Sequence, residues 1–145
     1  MDYWRINTDR DARKDIRTCD LWYDKRKAFT GDFEKSRTTR PHYRLFERLS
    51  PGVGLFMHHS GLGIVGYGVV EEEWDGKIYK GKQRRLYKVE PYEYRIAVKW
   101  DSDYDCRENP VSILGTLPYA GTYSRVDPEK WDIKGVLRQL RERAV

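Results

Sequence analysis

The chain's chemistry-bearing residues are rings and cations. Five Trp and eleven Tyr stand among 28 Lys and Arg in 145 residues, and flat rings beside positive charge are equipment for stacking bases and neutralising phosphates. Two tryptophans lie off any apolar stripe. Trp22 sits between Asp20 and Asp24, with Tyr23 beside it, and Trp74 falls in the acidic, turn-forming run Glu71-Glu72-Glu73-Trp74-Asp75-Gly76. Each fits either a pocket wall or a ring folded back onto the core. Trp4, Trp100 and Trp131 fall on faces with apolar spacing and read as core. Asn7 carries both a donor and an acceptor for a base edge, or else serves a turn or cap. His58-His59-Ser60 looks at first like a metal pair or a general base. Neighbours on a strand point to opposite faces, so the two imidazoles do not readily share one ion, and no third ligand is spaced nearby. A histidine hydrogen-bonding beside a pocket, or a solvated turn histidine, is the better reading. The cations form two tracts. One contains Lys25, Arg26 and Lys27, followed by Lys35, Arg37 and Arg40. The other runs from Lys77 through Lys80, Lys82, Arg84 and Arg85 to Lys88 without an acid. Both are candidate phosphate contacts, with a solvated charged face as the alternative.

The whole chain bounds these readings. Net charge is +5, mild enough that the same composition also suits a heat-stable surface network. A chain of this length buries enough surface to form one domain, residues 1–145, without staples. Cys19 and Cys106 lie outside any metal or redox spacing, which predicts reduced thiols, no metal or other cofactor, and a cytoplasmic setting. The longest uncharged stretch, Leu49 to Val70, holds two histidines and six glycines, too polar for a membrane span, and no signal-peptide run opens the chain.

The elements that must position these residues follow from periodicity. Tyr3 to Asn7 reads as a strand, ended by the helix-starting Thr8-Asp9. A helix is expected from about Arg10 to Thr18, after which Leu21-Trp22-Tyr23 re-enters the core or a pocket. Asp24 to Arg40 reads as a long surface loop. A second helix is expected from Pro41 to Leu49, with Leu45, Phe46 and Leu49 inward. Val53 to His58 and Gly63 to Glu71 form a hairpin across His59-Ser60-Gly61-Leu62, the second strand bent at its glycines. Tyr92 to Trp100 alternates as a strand, Val111 to Gly115 reads as a short helix or turn, and Thr122 to Val126 as a short strand. A last helix, capped by Asp127, runs to about Arg143 with Trp131, Val136, Leu137 and Leu140 inward.

This order of pieces resembles the EVE domain family, small PUA-like domains related in fold to YTH domains. The resemblance is carried by Tyr3-Trp4 before Thr8-Asp9, then Leu21-Trp22, Leu49-Ser50-Pro51-Gly52 and Leu55-Phe56-Met57-His58-His59-Ser60-Gly61. It continues in Gly63-Ile64-Val65-Gly66-Tyr67-Gly68-Val69-Val70 and Pro91-Tyr92-Glu93-Tyr94-Arg95-Ile96-Ala97-Val98. The chain departs from the family pattern where Val53 follows Gly52, and in a longer stretch from Tyr23 to Arg40. The resemblance implies an α+β fold, a curved mixed barrel of five to six strands flanked by helices, with a pocket at one mouth. It also implies a non-enzymatic reader that flips a modified, methylated base out of nucleic acid. DNA is favoured over RNA, and the reader serves as a specificity module for modification-dependent restriction, fused to or associated with a motor or nuclease. Trp22 matches the family's first cage position, and Trp74, Asn7, Tyr23, His58 and Ser60 complete the expected pocket. A nuclease using His58 or His59 with a carboxylate is the enzymatic alternative, and no motif backs it.

Overall fold

The structure is a computed structural model that describes residues 1–8, 17–32, 42–80 and 92–144, the side chains of residues 17, 31, 32 and 92 excepted. In chain order its elements are β1 (Tyr3–Asn7), α1 (Arg17–Lys25), β2 (Lys27–Asp32), α2 (Arg44–Arg48), β3 (Gly54–His59), β4 (Gly63–Val70), β5 (Tyr79–Lys80), β6 (Tyr92–Trp100), β7 (Tyr123–Arg125) and α3 (Ile133–Arg143). The strands form one mixed sheet, curled into a half barrel, in the order β2-β6-β4-β3-β1-β7, with β5 also on β6. Among the described residues six strands lie along this path, within the five to six expected, and β5 adds a two-residue rung beside β6. β1 pairs parallel to β3, Asn7 lying opposite His58, and the other pairings are antiparallel.

Period-two alternation divides the molecule into two cores. Trp4 and Ile6 of β1, Leu55 and Met57 of β3, and Val65 and Val70 of β4 pack inside the curl with Cys19, Trp22, Phe29, Leu45, Phe46, Ile96 and Trp100. Their neighbours Tyr3, Phe56, Ile64 and Tyr67 face outward and are covered by the C-terminal third, including Val111, Leu117, Val126, Val136 and Leu140. Both faces of the sheet are therefore dry, as a continuous apolar run such as β4 requires. The bulge between Met57 and His58, where Val65 is the extra residue of β4, bends the strand that the glycines interrupt. At Gly66 a Cβ would collide with the Tyr23 hydroxyl, and at Gly63, where φ is +125°, with the Val111 carbonyl. The glycines of β4 thus admit close neighbours on either side.

Several boundaries differ from the sequence reading. The start of the expected first helix lies outside the described residues. The helix that is described, α1, continues through Leu21-Trp22-Tyr23 to Lys25 and ends on Arg26, whose φ of +54° closes it as a left-handed cap usually given to glycine. The expected 24–40 loop contains β2, which pairs along its length with β6. Residues 33–40 lie outside the described set. The second helix is shorter than expected, but Leu45, Phe46 and Leu49 are buried as read. The last helix is capped not by Asp127 but by Asp132, whose carboxylate accepts from the Gly135 amide at 3.0 Å. Asp127 instead holds the preceding turn by accepting from the Glu129 amide.

Candidate functional site

The shared end of β1 and β3 concentrates polar side chains on both faces of the sheet. On the inner face Thr8, Cys19 and His59 replace the apolar residues that line the rest of the curl. The Thr8 hydroxyl is hydrogen-bonded to His59 Nδ1, and Cys19 Sγ lies 3.3 Å from the same nitrogen. Burial pushes the Cys19 thiol up to about 11, so it stays protonated and acts as a weak donor rather than a nucleophile. His59 and Cys19 are fully buried and Thr8 nearly so.

On the outer face Arg5, Asn7 and His58 follow from the same alternation. The Arg5 guanidinium is completely buried. It donates to the Ala120 and Gly121 carbonyls at 2.9 Å each and to Ser124 Oγ at 3.1 Å, and its Nη1 lies 3.3 Å from His58 Nδ1. Arginine has donors only, so Nδ1 of His58 is the acceptor and the neutral ring carries its proton on Nε2. Burial first, then the Arg5 charge and His59, pushes the His58 pKa down to about 4. The Asn7 amide nitrogen donates to Ser60 Oγ at 2.6 Å, while the other end of the amide is buried and has no partner among the described residues.

Asn7, His58 and Ser60 are therefore brought together, as the sequence reading requires. His58 is a buried strand residue, though, and not a solvated turn histidine. Adjacent His58 and His59 do point to opposite faces. Among the described residues no three His, Cys, Asp or Glu side chains cluster as a metal site.

The ring residues separate. Trp22 is not a pocket wall but part of the inner core. It is fully buried, 6.2 Å from Phe29 and 6.0 Å from Trp100 between ring centroids. Its flanking acids mislead because α1 turns Asp24 to solvent while Cys19 and Trp22, three residues apart, face inward. Tyr23 is half-buried and occupied. Its hydroxyl donates to the Val65 carbonyl at 3.1 Å, and Arg107, clamped by Asp20 and Asp105, covers its ring at 4.1 Å. Burial raises the Tyr23 pKa well above the usual phenol value. It is not a free stacking face.

Trp74 is half-buried and stacked on Tyr43, centroids 5.4 Å apart at 21°, with Tyr94 edge-on to both rings. Its indole N–H is buried with no acceptor among the described residues. Trp74, Phe46, Arg48, Ser50 and Glu73 line a cleft of about 530 Å³. Tyr43 was missed by the sequence reading, and its signal was its place next to Pro41-His42 at a helix start. The neighbouring His42 touches both Tyr123, edge-on at 6.4 Å, and Thr122, 3.5 Å from Nε2 to the hydroxyl. Thr122 in turn accepts from the Asn7 amide backbone at 2.8 Å. The start of α2 thus links the Tyr43–Trp74 rings to the Asn7 cluster.

Of the proposed phosphate contacts, Lys25, Arg26, Lys77 and Lys80 are exposed, whereas Lys82, Arg84, Arg85 and Lys88 lie outside the described residues. Tyr79 is covered on one face by Arg95, 3.5 Å from its ring centre, and Arg95 pairs with the buried Glu93.

No known protein family profile matches the chain, and no curated protein does. Solved structures similar in fold include two from bacteria. Rpa0253 from Rhodopseudomonas palustris, determined by NMR, is 16% identical with a TM-score of 0.53 over 95% of this chain and 92% of its own. Protein Atu2648 from Agrobacterium tumefaciens, a crystal structure, is 15% identical with a TM-score of 0.54 over 97% and 93%. The likeness spans nearly the whole chain, and at this identity it speaks to fold alone.

Proposed function

We propose that the chain is a PUA-like reader of the EVE type. It takes one modified base from nucleic acid, DNA in preference to RNA, and holds it at the shared end of β1 and β3. It performs no chemistry of its own and serves as the specificity module of a modification-dependent restriction system with a motor or nuclease partner. The observation that carries this reading is the Asn7 amide. One end is fixed by Ser60 and the other is buried without a partner, an arrangement that costs about 1–3 kcal/mol unless a ligand completes it. A base edge, with donors and acceptors side by side, is such a ligand. The Tyr43–Trp74 stack, linked to Asn7 through Thr122 and His42, supplies aromatic surface to offset the stacking lost on flipping. Trp22 has no part in this site.

Binding of methylated, hydroxymethylated and unmodified duplexes, each with its RNA counterpart, tests the proposal. One modified form is expected to bind most tightly without turnover in magnesium, and Asn7→Ala to weaken that binding with the fold retained. Equal affinity for all forms, or cleavage of any, overturns it.

A further inference from the structure

A second cleft opens at the hairpin turn between β3 and β4. It encloses about 340 Å³ and is lined by His58, Gly61, Gly63, Ser112 and Arg143 among others, with no carboxylate among its described lining residues. Behind it stands Arg5. A fully buried guanidinium is almost always paired with an anion, yet among the described residues Arg5 has only two carbonyls, a hydroxyl and His58 as partners, and its pKa is lowered to about 10 by burial. Those partners carry partial charges, so a full positive charge is left inside the fold. Because Arg5 occupies Nδ1 of His58, the ring's proton sits on Nε2, which makes no hydrogen bond to any described residue.

Arg143 also lines the cleft. It is exposed and tied by Nη1 to the Pro110 carbonyl at 2.8 Å, and the other donors of its fork have no hydrogen-bond partner among the described residues. The cleft's shape is set by backbone. Val111 bridges Ile64, an approach that only a glycine at position 63 admits, and this holds Ser112, the next residue, in the lining of the same cleft as His58.

We propose that this cleft is a phosphate site, in which the His58 Nε2–H, the Ser112 hydroxyl and the Arg143 guanidinium hold the anion and the buried Arg5 charge balances it through the imidazole. A tetrahedral oxyanion accepts from all three donors, and an arginine fork gives charge-assisted bonds. Inorganic phosphate, a terminal phosphomonoester and a phosphodiester of a nucleic-acid backbone share this chemistry. The site stands whether or not a base is read at Asn7.

The test is a titration with inorganic phosphate, followed through the His58 imidazole NMR signals, against sodium chloride at equal ionic strength. Saturable movement of His58 is expected with phosphate and not with chloride. Arg143→Gln, a change at an exposed position, is expected to weaken it about ten-fold with the backbone spectrum otherwise kept. His58→Gln, which assigns the signals, is expected to abolish them. A dinucleotide carrying a 5′-phosphate and one carrying only its diester tell a terminal phosphate from a backbone one by which moves His58 at lower concentration. Movement that chloride reproduces, or that Arg143→Gln leaves unchanged, overturns the proposal, and neither result depends on any modified base.

Discussion

His58 and His59 are consecutive on β3, yet they belong to different halves of the molecule. His59 faces the inside of the curl, against a threonine hydroxyl and a thiol, at the edge of a core of tryptophan and leucine. His58 faces outward, against a buried arginine and a cleft that opens to solvent. The same split runs through β1, where Thr8 belongs to the inside and Arg5 and Asn7 to the outside. The chemistry of a residue at this end of the sheet is therefore decided by which side of the strand it stands on, more than by its type. At this end of the sheet the inner face is a filled core, and the outer face carries the buried Arg5 charge and the unpartnered end of the Asn7 amide.

The sharpest way to break this comparison is through Trp22. As an inner-core ring, its loss in Trp22→Ala should destabilise the fold by about 3–5 kcal/mol, the cost of removing a large buried aromatic. Urea unfolding with an unchanged m-value checks it. A variant that unfolds like the parent but no longer binds the modified base would return Trp22 to the pocket.

The outer face gives the next effect, through pH. Burial and the Arg5 charge lower the pKa of His58 from 6.5 to about 4. Between those values the unfolded chain binds a proton that the folded one refuses. The stability present above pH 6.5 is thus lost as pH falls toward 4, by roughly 3 kcal/mol at most. The loss shows as a steeper decline in the parent than in His58→Gln when unfolding free energy is measured across that window. Parallel curves for the two proteins would mean that His58 titrates normally and that Arg5 does not press on it.

Much of this division was legible in the sequence, because alternation is a local property. Tyr3 to Asn7, the glycine-marked hairpin and Tyr92 to Trp100 all read as strands from period-two patterning, and the opposite facing of His58 and His59 follows from that period alone. The rest was set by contacts distant in sequence. β2 is hidden because Lys27, Gly31 and Asp32 are poor strand formers, and Ala28 and Phe29 gain their burial only by pairing with β6, some seventy residues on. Trp22 was misread because flanking acids suggest exposure in a loop, whereas in a helix they sit on another face. Tyr43 was passed over because the apolar stripe of its helix runs through Leu45, Phe46 and Leu49, while the Ala120 and Gly121 carbonyls that hold Arg5 come from a loop with no periodicity to announce them.

A smaller effect separates binding from packing at the aromatic stack. Trp74 is only half-buried, so Trp74→Ala should cost binding about 1–3 kcal/mol, the worth of one stacked base, and leave the fold above half its stability. Tyr43→Ala, which removes the supporting ring, should follow the same pattern more weakly. Measured affinity for a modified duplex, corrected for the folded fraction by a parallel melt, distinguishes the outcomes. If affinity in the folded fraction is untouched by either change, these rings are a loop anchor and the base lies elsewhere.

The smallest expected change concerns Lys77 and Lys80, the described members of the second basic tract, of which Lys77 precedes the short rung β5 and Lys80 ends it, both solvent-exposed. Phosphate contacts release counterions, and each one steepens the dependence of log affinity on log salt by about 0.9. Replacing both lysines with glutamine should flatten that slope by about 1–2 if both touch the backbone. Affinity for modified and unmodified duplexes should fall by similar factors, since a phosphate carries no information about the base. A row of exposed cations is otherwise only a solvated face, and surface charges of that kind alter stability by no more than a few tenths of a kcal/mol. Salt titrations of the double variant against the parent separate the two cases. An unchanged slope moves the nucleic acid's path away from β5, and a loss confined to the modified duplex would mean that these lysines read the base rather than its backbone.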